Sequence, residues 1–387
     1  MGEWKRIKLS EVLKEKTERN KNNETDLVLS VTNSQGFVKQ SDFFEGTVHS
    51  EDISNYKLVK KNEFAYNPSR INVGSIDILK EYDIGALSPM YVIFSVDETK
   101  LLPDYFKHYF QTHKFNENVK NNTQGSVRNS LSFKALSEFE YLLPPLEELK
   151  RIVKILDQVN RIIEKYQNLI SEKEQFIKSQ FVEMFGGIGH YEKIGDICSI
   201  KARIGWQGLT KKEYLESGDY YLVTGTDFNG NTIDFNNCSF VTQERYNQDE
   251  NIQLKEKDVL VTKDGTIGKV AFIDKLPKPA TLNSGVFVVR DKLNILNPIY
   301  LEYALLSNDF SRFIRKIKTG STIAHLNQEV FLKFRIPIPE KKLQDKFEPI
   351  VQLIDKQKFE LEKQKQNYID LKKGLMQQLL TGRLKVS

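Results

Sequence analysis

The stretch LEELKRIVKILDQVNRIIEKYQNLISEKEQFIKSQFVEM, residues 146–184, decides the fold of this chain. It contains neither Gly nor Pro, and Lys, Glu and Gln fill the positions between its apolar residues, as on a solvated helix face. Its apolar positions recur every three or four residues: Leu149, Ile152, Leu156, Val159, Ile163, Tyr166, Ile170, Ile177 and Met184. This spacing predicts a helix with a seam of coiled-coil type, roughly 55–60 Å long at about 1.5 Å per residue.

A second stretch with the same period closes the chain. Its seam positions are Leu343, Phe347, Ile350, Ile354, Gln357, Leu361, Gln364, Tyr368, Leu371, Leu375 and Leu379. Pro349 lies inside it and predicts a break or kink there. Because a lone amphipathic helix cannot bury its apolar stripe, we predict that the two helices pair antiparallel, with one globular region at each end. Two alternatives are that each helix packs on its own globular region, or that it pairs with another chain.

The regions outside these helices indicate an internal duplication. The two halves align at a displacement of 195 residues, the distance from Pro144 to Pro339. The other matches are Pro103 with Pro298, Tyr105 with Tyr300, Phe115 with Phe310, Phe139 with Phe334, Leu143 with Ile338 and Gly187 with Gly382. The segments 8–12 and 193–197 match at a slightly different displacement. So many matches in one order are typical of a tandem repeat.

Each half begins with short β-like runs separated by Gly, Asn and Asp, followed by a short helix and a strand that contains Pro. The predicted fold is therefore α+β: two mixed α/β domains joined by two long helices that form an antiparallel coiled coil, in a pseudo-two-fold internal repeat. The predicted boundaries are 1–143 and 188–338 for the mixed domains, and 144–187 and 339–387 for the helices.

Composition excludes several classes of protein. A net charge of +5 permits an anionic partner without requiring one. The two cysteines, Cys198 and Cys238, have no Cys or His at ligand spacing, so we expect neither a metal site nor a disulfide scaffold. The sequence shows no signal peptide and no apolar run of the ~18–20 residues that a membrane span needs, so a cytoplasmic protein without membrane contact is expected.

No catalytic motif stands out. Residues 66–70, Tyr-Asn-Pro-Ser-Arg, begin like an adenine-methyltransferase motif but continue with Ser and Arg, and neither a Gly-rich cofactor loop nor a phosphate-binding loop is present. Asp258 and Asp264 flank a predicted strand and are interpreted as solvated charges at its edge. His108 and His113 are predicted to share a helix but to face different ways. We therefore predict no catalytic residues and no cofactor in this chain.

Polar loops at matching places in both halves carry side chains suited to DNA. Arg and Lys pair with guanine edges, Asn and Gln pair with adenine edges, and Gly, Ser and Thr allow close approach to phosphates. The predicted DNA-binding residues are Ser69, Arg70, Asn72, Gln124, Ser126, Arg128 and Asn129 in the first half, and Lys263, Thr266, Lys269, Lys318, Thr319, Ser321 and His325 in the second. Because the framework repeats while the loops differ, the two halves are expected to bind different targets.

This layout resembles the specificity subunit of type I restriction-modification systems over the entire chain. The resemblance rests on LLPPLEE at 142–148 leading into RIVKILD at 151–157, on IPIP at 336–339 leading to Gln344, on DVLVTKDGTIG at 258–268, on TGST at 319–322, and on LMQQLLTG at 375–382. There are departures: Leu149 stands where the family usually has Gln, and residues 340–342 are Glu-Lys-Lys where Pro-Leu-Glu is common.

The resemblance implies a DNA-binding, non-catalytic subunit that recognises a bipartite target, with each recognition domain in the major groove of one half-site. The helix pair would set the gap between half-sites. It also implies double-stranded DNA, two methyltransferase subunits and motor-nuclease subunits as partners, with S-adenosylmethionine, ATP and Mg bound by those partners. The alternatives are a stand-alone DNA-acting enzyme, such as a nuclease or methyltransferase fragment, and a coiled-coil adaptor that does not bind DNA.

Overall fold

The computed structural model describes residues 3–43, 50, 52–123, 130–205, 208–319 and 325–386. The chain forms two units: unit 1 comprises residues 1–167 and 363–387, and unit 2 comprises residues 168–362. The two long helices contribute residues to both units. None of the helices in the described ranges combines the length and the apolar content that a membrane span requires.

Unit 1 is built on a four-stranded antiparallel sheet in the order β2-β9-β6-β7, beside the pairs β1–β10, β3–β4 and β5–β8. Its elements are β1 Lys5–Lys8, β2 Leu13–Lys16, β3 Leu29–Thr32, β4 Gly36–Lys39, α1 Gln40–Phe43, β5 Lys57–Lys60, β6 Phe64–Tyr66, β7 Ile76–Ile78, β8 Ile84–Leu87, β9 Val92–Val96, α2 Pro103–Tyr109, α3 His113–Thr123, α4 Phe133–Ser137, β10 Glu140–Leu143 and α5 Leu146–Phe185. His108 and His113 therefore lie in different helices, because the chain leaves the helical path between α2 and α3; the prediction of a shared helix was wrong.

Unit 2 is built on the antiparallel sheet β12-β20-β17-β18, beside the sheet β16-β13-β19 and the pairs β11–β21 and β14–β15. In the three-stranded sheet, β13 runs parallel to β19. The elements are β11 Tyr191–Lys193, α6 Ile194–Ile197, β12 Cys198–Lys201, β13 Tyr220–Val223, β14 Phe228–Asn229, β15 Thr232–Ile233, β16 Ser239–Val241, α7 Gln243–Asn247, β17 Val259–Thr262, β18 Val270–Phe272, β19 Ala280–Leu282, β20 Val286–Asp291, α8 Pro298–Leu305, α9 Asn308–Thr319, α10 Gln328–Phe331, β21 Arg335–Pro337 and α11 Lys341–Leu379.

The central sheets of the two units share strand order and register. Phe64 of β6 faces Phe94 of β9, and Val259 of β17 faces Val289 of β20. Both members of the second pair lie 195 residues after those of the first, which is the displacement found in the sequence. All four side chains are buried, because these central strands carry apolar residues on both faces. The predicted duplication is therefore present in the fold.

In unit 1, the first part of α5 packs against the last part of α11. Leu149, Ile152 and Leu156 share a buried cluster with Met376 and Leu379. Further along, the rings of Tyr166 and Tyr368 lie 5.7 Å apart. Residue numbers rise along one helix as they fall along the other, so the two segments are antiparallel.

In unit 2, the last part of α5 packs against the first part of α11 in the same sense. Lys358 Nζ lies 3.2 Å from Glu174 Oε1, while Phe181 and Phe185 contact Phe347 near the opposite ends of these segments. The predicted antiparallel pairing is thus found within each unit. The predicted break at Pro349 was wrong, since α11 continues through it. Pro349 removes one backbone donor, and its ring crowds the preceding turn. It is exposed, while Phe347 and Val351 on either side are buried on the packed face, and their burial offsets this cost.

Glu302 of α8 is a buried acid in unit 2. Its Oε1 accepts a hydrogen bond from Asn231 Nδ2 at 2.6 Å, and burial raises the pKa of its carboxyl from 4.5 to about 8. The folded chain therefore holds a proton between these pH values that the unfolded chain releases. The free energy of unfolding should fall as pH rises through this window, by up to about 1.4 kcal/mol per pH unit.

Glu302→Gln keeps an acceptor for Asn231 and removes the titration. We expect its melting temperature to rise increasingly above that of the wild type from pH 5 to pH 8, and the difference to level off at higher pH. Thermal unfolding at several pH values checks this, with exposed Glu360→Gln of α11 as the matched control. A wild-type–variant difference that does not change with pH would contradict the assignment.

Candidate nucleic-acid interface

Four loops of unit 2 meet at one edge, which we call loop edge 2: residues 224–227, 262–269, 283–285 and 325–326. Backbone hydrogen bonds join them in a chain. Asn283 N–H donates to Val223 O (2.9 Å), Lys263 N–H donates to Gly285 O (2.9 Å), and Leu326 N–H donates to Lys263 O (2.8 Å). Loops that lie far apart in sequence are therefore held on one scaffold, as binding residues on loops require.

The 262–269 loop is closed by the buried side chain of Thr262. Its Oγ1 donates to Thr266 O (2.6 Å) and accepts from Lys269 N–H (2.9 Å). Gly265 and Gly268 have φ of +65° and +80°, a region that side chains with a Cβ rarely adopt. The loop thus has a defined shape, with Asp264, Thr266 and Lys269 exposed on it.

Unit 1 has a corresponding edge, loop edge 1, formed by residues 32–35, 67–74, 88–90 and 130–131. Asn67 is buried and closes its loop as Thr262 does: its Oδ1 accepts from Ser69 N–H (3.1 Å) and its carbonyl oxygen accepts from Arg70 N–H (2.9 Å). Ser75 Oγ donates to Val31 O (2.7 Å), which brings this loop to the end of β3.

One backbone hydrogen bond occurs at both edges. Leu131 N–H donates to Pro68 O (3.1 Å) in unit 1, and Leu326 N–H donates to Lys263 O (2.8 Å) in unit 2. Donors and acceptors are each separated by 195 residues. Loop edges 1 and 2 are thus copies of one arrangement, although most of their exposed side chains differ.

Several predicted DNA-binding residues lie exposed on these edges. They are Ser69, Arg70 and Asn72 on loop edge 1, and Thr266, Lys269 and His325 on loop edge 2. His325 Nδ1 is hydrogen-bonded to Asp264 Oδ1, which fixes the ring and leaves Nε2 for another contact. Lys263 is half-buried, with Nζ 5.3 Å from the centre of the Phe287 ring. The arrangement offers cationic donors and a fixed imidazole beside loop backbone.

The remaining predicted residues fall elsewhere. Gln124, Ser126, Arg128, Asn129 and Ser321 lie outside the described residues. Lys318 and Thr319, predicted in a Gly-Ser loop, instead form the last turn of α9. That loop prediction was wrong for these two residues, because α9 continues its amphipathic pattern beyond the buried Phe310 and Ile314 up to the residue before Gly320.

Both edges also contain polar residues that the sequence reasoning missed. Asn33, Ser34 and Gln35 are exposed after β3, and Thr226 is exposed after β13. Gly225 lies close to the other loop of the edge, since a Cβ there would be 3.2 Å from Thr262 Cγ2. A polar turn directly after an apolar strand is the sequence signal that could have identified these residues. The turns after β3 and β13 do not correspond at the displacement of 195 residues, so the internal repeat did not reveal them.

The family model described as type I restriction modification DNA specificity domain matches residues 1–172 and 190–371, once for each half. The chain belongs to this family. It is 25% identical over 357 residues to the type I restriction enzyme MjaVIII specificity subunit of Methanocaldococcus jannaschii, covering 85% of this chain and 80% of that protein. It is 22% identical over 286 residues to the EcoR124I/EcoR124II specificity subunit of Escherichia coli, covering 70% and 66%.

Solved structures share the fold. A chain from a structure describing complex assembly and conformational transition of the type I R-M system superposes with a TM-score of 0.57 at 13% identity, covering 99% of both chains. The type I restriction-modification S subunit of M. genitalium gives 0.52 at 14% identity, covering 97% of this chain and 96% of that one. The predicted fold class and family are confirmed. Membership gives the chain a DNA sequence-specificity role within a type I restriction-modification system.

Proposed function

We propose that this chain recognises a bipartite DNA target, with loop edge 1 contacting one half-site and loop edge 2 contacting the other. The observation that supports this is the hydrogen bond made by Leu131 in unit 1 and again by Leu326 in unit 2. This bond supports the corresponding loop in each unit, while the exposed residues on the two loop edges differ. Since loops on a fixed scaffold carry binding residues, one scaffold with two loop sets suits two half-sites. The recognition domains would comprise residues 1–143 and 188–338.

The chain would contribute no catalysis. Two methyltransferase subunits would bind it and supply S-adenosylmethionine and the active sites, and motor-nuclease subunits would bring ATP and Mg. The names of the relatives, which are specificity subunits of restriction enzymes, support this division of labour. Purified chain alone should methylate no DNA, and adding the cognate methyltransferase subunits should produce adenine methylation at one motif. Turnover by the chain alone would favour the enzyme alternative.

Arg70→Ala tests the assignment of loop edges to half-sites. Arg70 is exposed on loop edge 1, and its guanidinium group forms no hydrogen bond or ion pair with the described residues. Losing one base contact costs about 1–3 kcal/mol, so preference at one base of one half-site should fall about 5- to 150-fold. The measurement is sequencing of methylated genomic DNA from cells that express the chain with its methyltransferase subunits.

The matched control is Arg161→Ala, an exposed arginine on α5 that is not among the residues of the loop edges, which should leave the motif unchanged. The other half-site should also be unchanged in the Arg70 variant. Relaxed preference in both half-sites, or none in either, would contradict the assignment of one edge to each half-site.

A further inference from the structure

A cleft of about 310 Å³ opens in unit 2 between the two long helices and the end of the 262–269 loop. It is lined on one side by Glu174 and Lys178 of α5 and by Lys358 of α11. The other side is formed by Asn231 and by Lys269, which belongs to loop edge 2. We call it the lysine cleft. It begins where the candidate recognition loop ends, so a molecule lying on loop edge 2 can continue into it.

The lysine cleft has an excess of positive charge. Lys358 is largely buried, with Nζ 3.2 Å from Glu174 Oε1 and 3.8 Å from Asp355 Oδ1, so these acids already have a cation. Lys178 and Lys269 are exposed and have no carboxylate within ion-pair distance in the described part of the chain. Two ammonium groups from separate elements therefore converge on one cleft without a counterion from the protein.

The acid behind the cleft wall adds little negative charge at neutral pH. Asn231 donates to the buried Glu302, and the raised pKa of that carboxyl keeps it mostly protonated. The carboxyl of Glu302 is buried, and its hydrogen bond fixes the amide of Asn231, which lines the cleft. The wall is thus a rigid polar surface that does not neutralise Lys178 or Lys269.

The corresponding described residues of unit 1 do not repeat this arrangement. At the displacement of 195 residues, Lys269 corresponds to Gly74 and Lys358 corresponds to Ile163. Lys178 corresponds to Lys373, but Lys373 Nζ is 3.3 Å from Asp370 Oδ1. The three lysines of the cleft are therefore not repeated as a set at the corresponding described residues of unit 1.

We propose that the lysine cleft binds backbone phosphates of DNA next to the half-site contacted by loop edge 2. The proposal rests on the proposed function and adds a sequence-independent contact site to it. A phosphodiester carries the single negative charge and the acceptor oxygens that two converging ammonium groups can bind, whereas base edges are read by groups in a groove. Lys178 and Lys269 are the phosphate-binding residues, and Lys358 with Glu174 shapes the cleft.

The test is the double variant Lys178→Gln, Lys269→Gln, studied in complex with the methyltransferase subunits. The logarithm of the DNA-binding constant falls linearly with the logarithm of salt concentration, with a slope of roughly 0.9 per phosphate contact. The double variant loses one or two contacts, so its slope should be shallower by about 1–2. Affinity at low salt should fall about equally for a target duplex and for a random duplex. Lys178→Gln alone should leave the methylated motif unchanged, because Lys178 lies on α5, outside loop edge 2.

Ethylation of single phosphates locates the contact. Ethylating one or two phosphates beside the second half-site should weaken binding of the wild-type complex, and the double variant should be insensitive to those ethylations. Lys373→Gln, the corresponding lysine of unit 1, is the matched control and should keep its sensitivity. Lys178→Arg, Lys269→Arg should keep the wild-type slope. Melting temperatures exclude misfolding, and both substituted positions are exposed.

The proposal would be overturned if the double variant kept both the salt slope and the ethylation pattern of the wild type. It would also be overturned if the double variant lost affinity for the target duplex alone, because the lysines would then contact bases. Binding of inorganic phosphate without any change in the DNA slope would also overturn it. If the wild-type complex shows no sequence preference, the proposed function fails. The comparison on the random duplex still decides whether the lysine cleft binds DNA phosphates.

Discussion

Gly268→Ala should reduce target methylation in cells about tenfold or more. Gly268 has φ of +80°, and a Cβ at this position would lie 2.7 Å from Ile314 Cγ1 and 3.0 Å from both Cδ1 and Cγ2. Ile314 is buried in α9 and cannot swing away without disturbing its neighbours. The substitution adds backbone strain of about 1–3 kcal/mol and overpacking of about 1–3 kcal/mol, and both are relieved if the 262–269 loop moves. A loss of about 1.4 kcal/mol in the free energy of DNA binding already lowers affinity tenfold.

Gly265→Ala is a close control because it lies in the same loop. Its φ is +65°, but among the described residues no atom beyond its chain neighbours lies within 4 Å of the Cβ position, so the substitution adds backbone strain without this overlap. Methylation should fall much less than in Gly268→Ala. Adding Ile314→Ala to Gly268→Ala should recover part of the loss, since it removes the overlapping carbons. Equal losses from the two glycine variants would show that steric contact with α9 does not support the loop.

The long helices could be predicted because their signal is local. Apolar residues three or four apart share a helix face whatever the rest of the chain does. Even so, the predicted seam of the second helix omits one buried polar residue, Gln344. Gln344 of α11 is fully buried and accepts from Asn297 N–H (2.7 Å), while its Nε2 donates to Pro339 O (2.9 Å). The corresponding residue of α5 is Leu149, where the family usually has Gln. Leu149 is also fully buried, but it packs in an apolar cluster instead of forming hydrogen bonds.

The loop edges could be predicted only in part, because they depend on pairings between distant residues. Strand β13 lies parallel to β19, and no local pattern joins Leu222 to Thr281. Thr226 was missed for that reason, since only the fold brings its turn to Thr262. The predicted role of Asp264 as a solvated edge charge was also incomplete. The residue is exposed, but it orients His325, a contact between loops 61 residues apart.

The largest effect on stability is expected from Phe347→Ala. Phe347 is fully buried in unit 2, and the centre of its ring lies 5.6 Å from that of Phe181, 5.5 Å from that of Phe185 and 5.3 Å from that of Tyr303. The ring joins α11 to both α5 and α8, so its removal leaves a cavity that three aromatic neighbours line. Truncation of a buried Phe costs about 3–5 kcal/mol.

At about 2–4 °C per kcal/mol for a unit of this size, Phe347→Ala should lower the melting temperature of unit 2 by roughly 10 °C. Phe359→Ala, on the same helix but 68% exposed, should change stability by no more than about 0.5 kcal/mol. Both variants replace Phe by Ala in α11, so the change in helix propensity is the same and cancels in the comparison. Denaturant and thermal unfolding measure the difference. Equal stability of the two variants would mean that the α5–α11 segments of unit 2 do not hold each other through this ring.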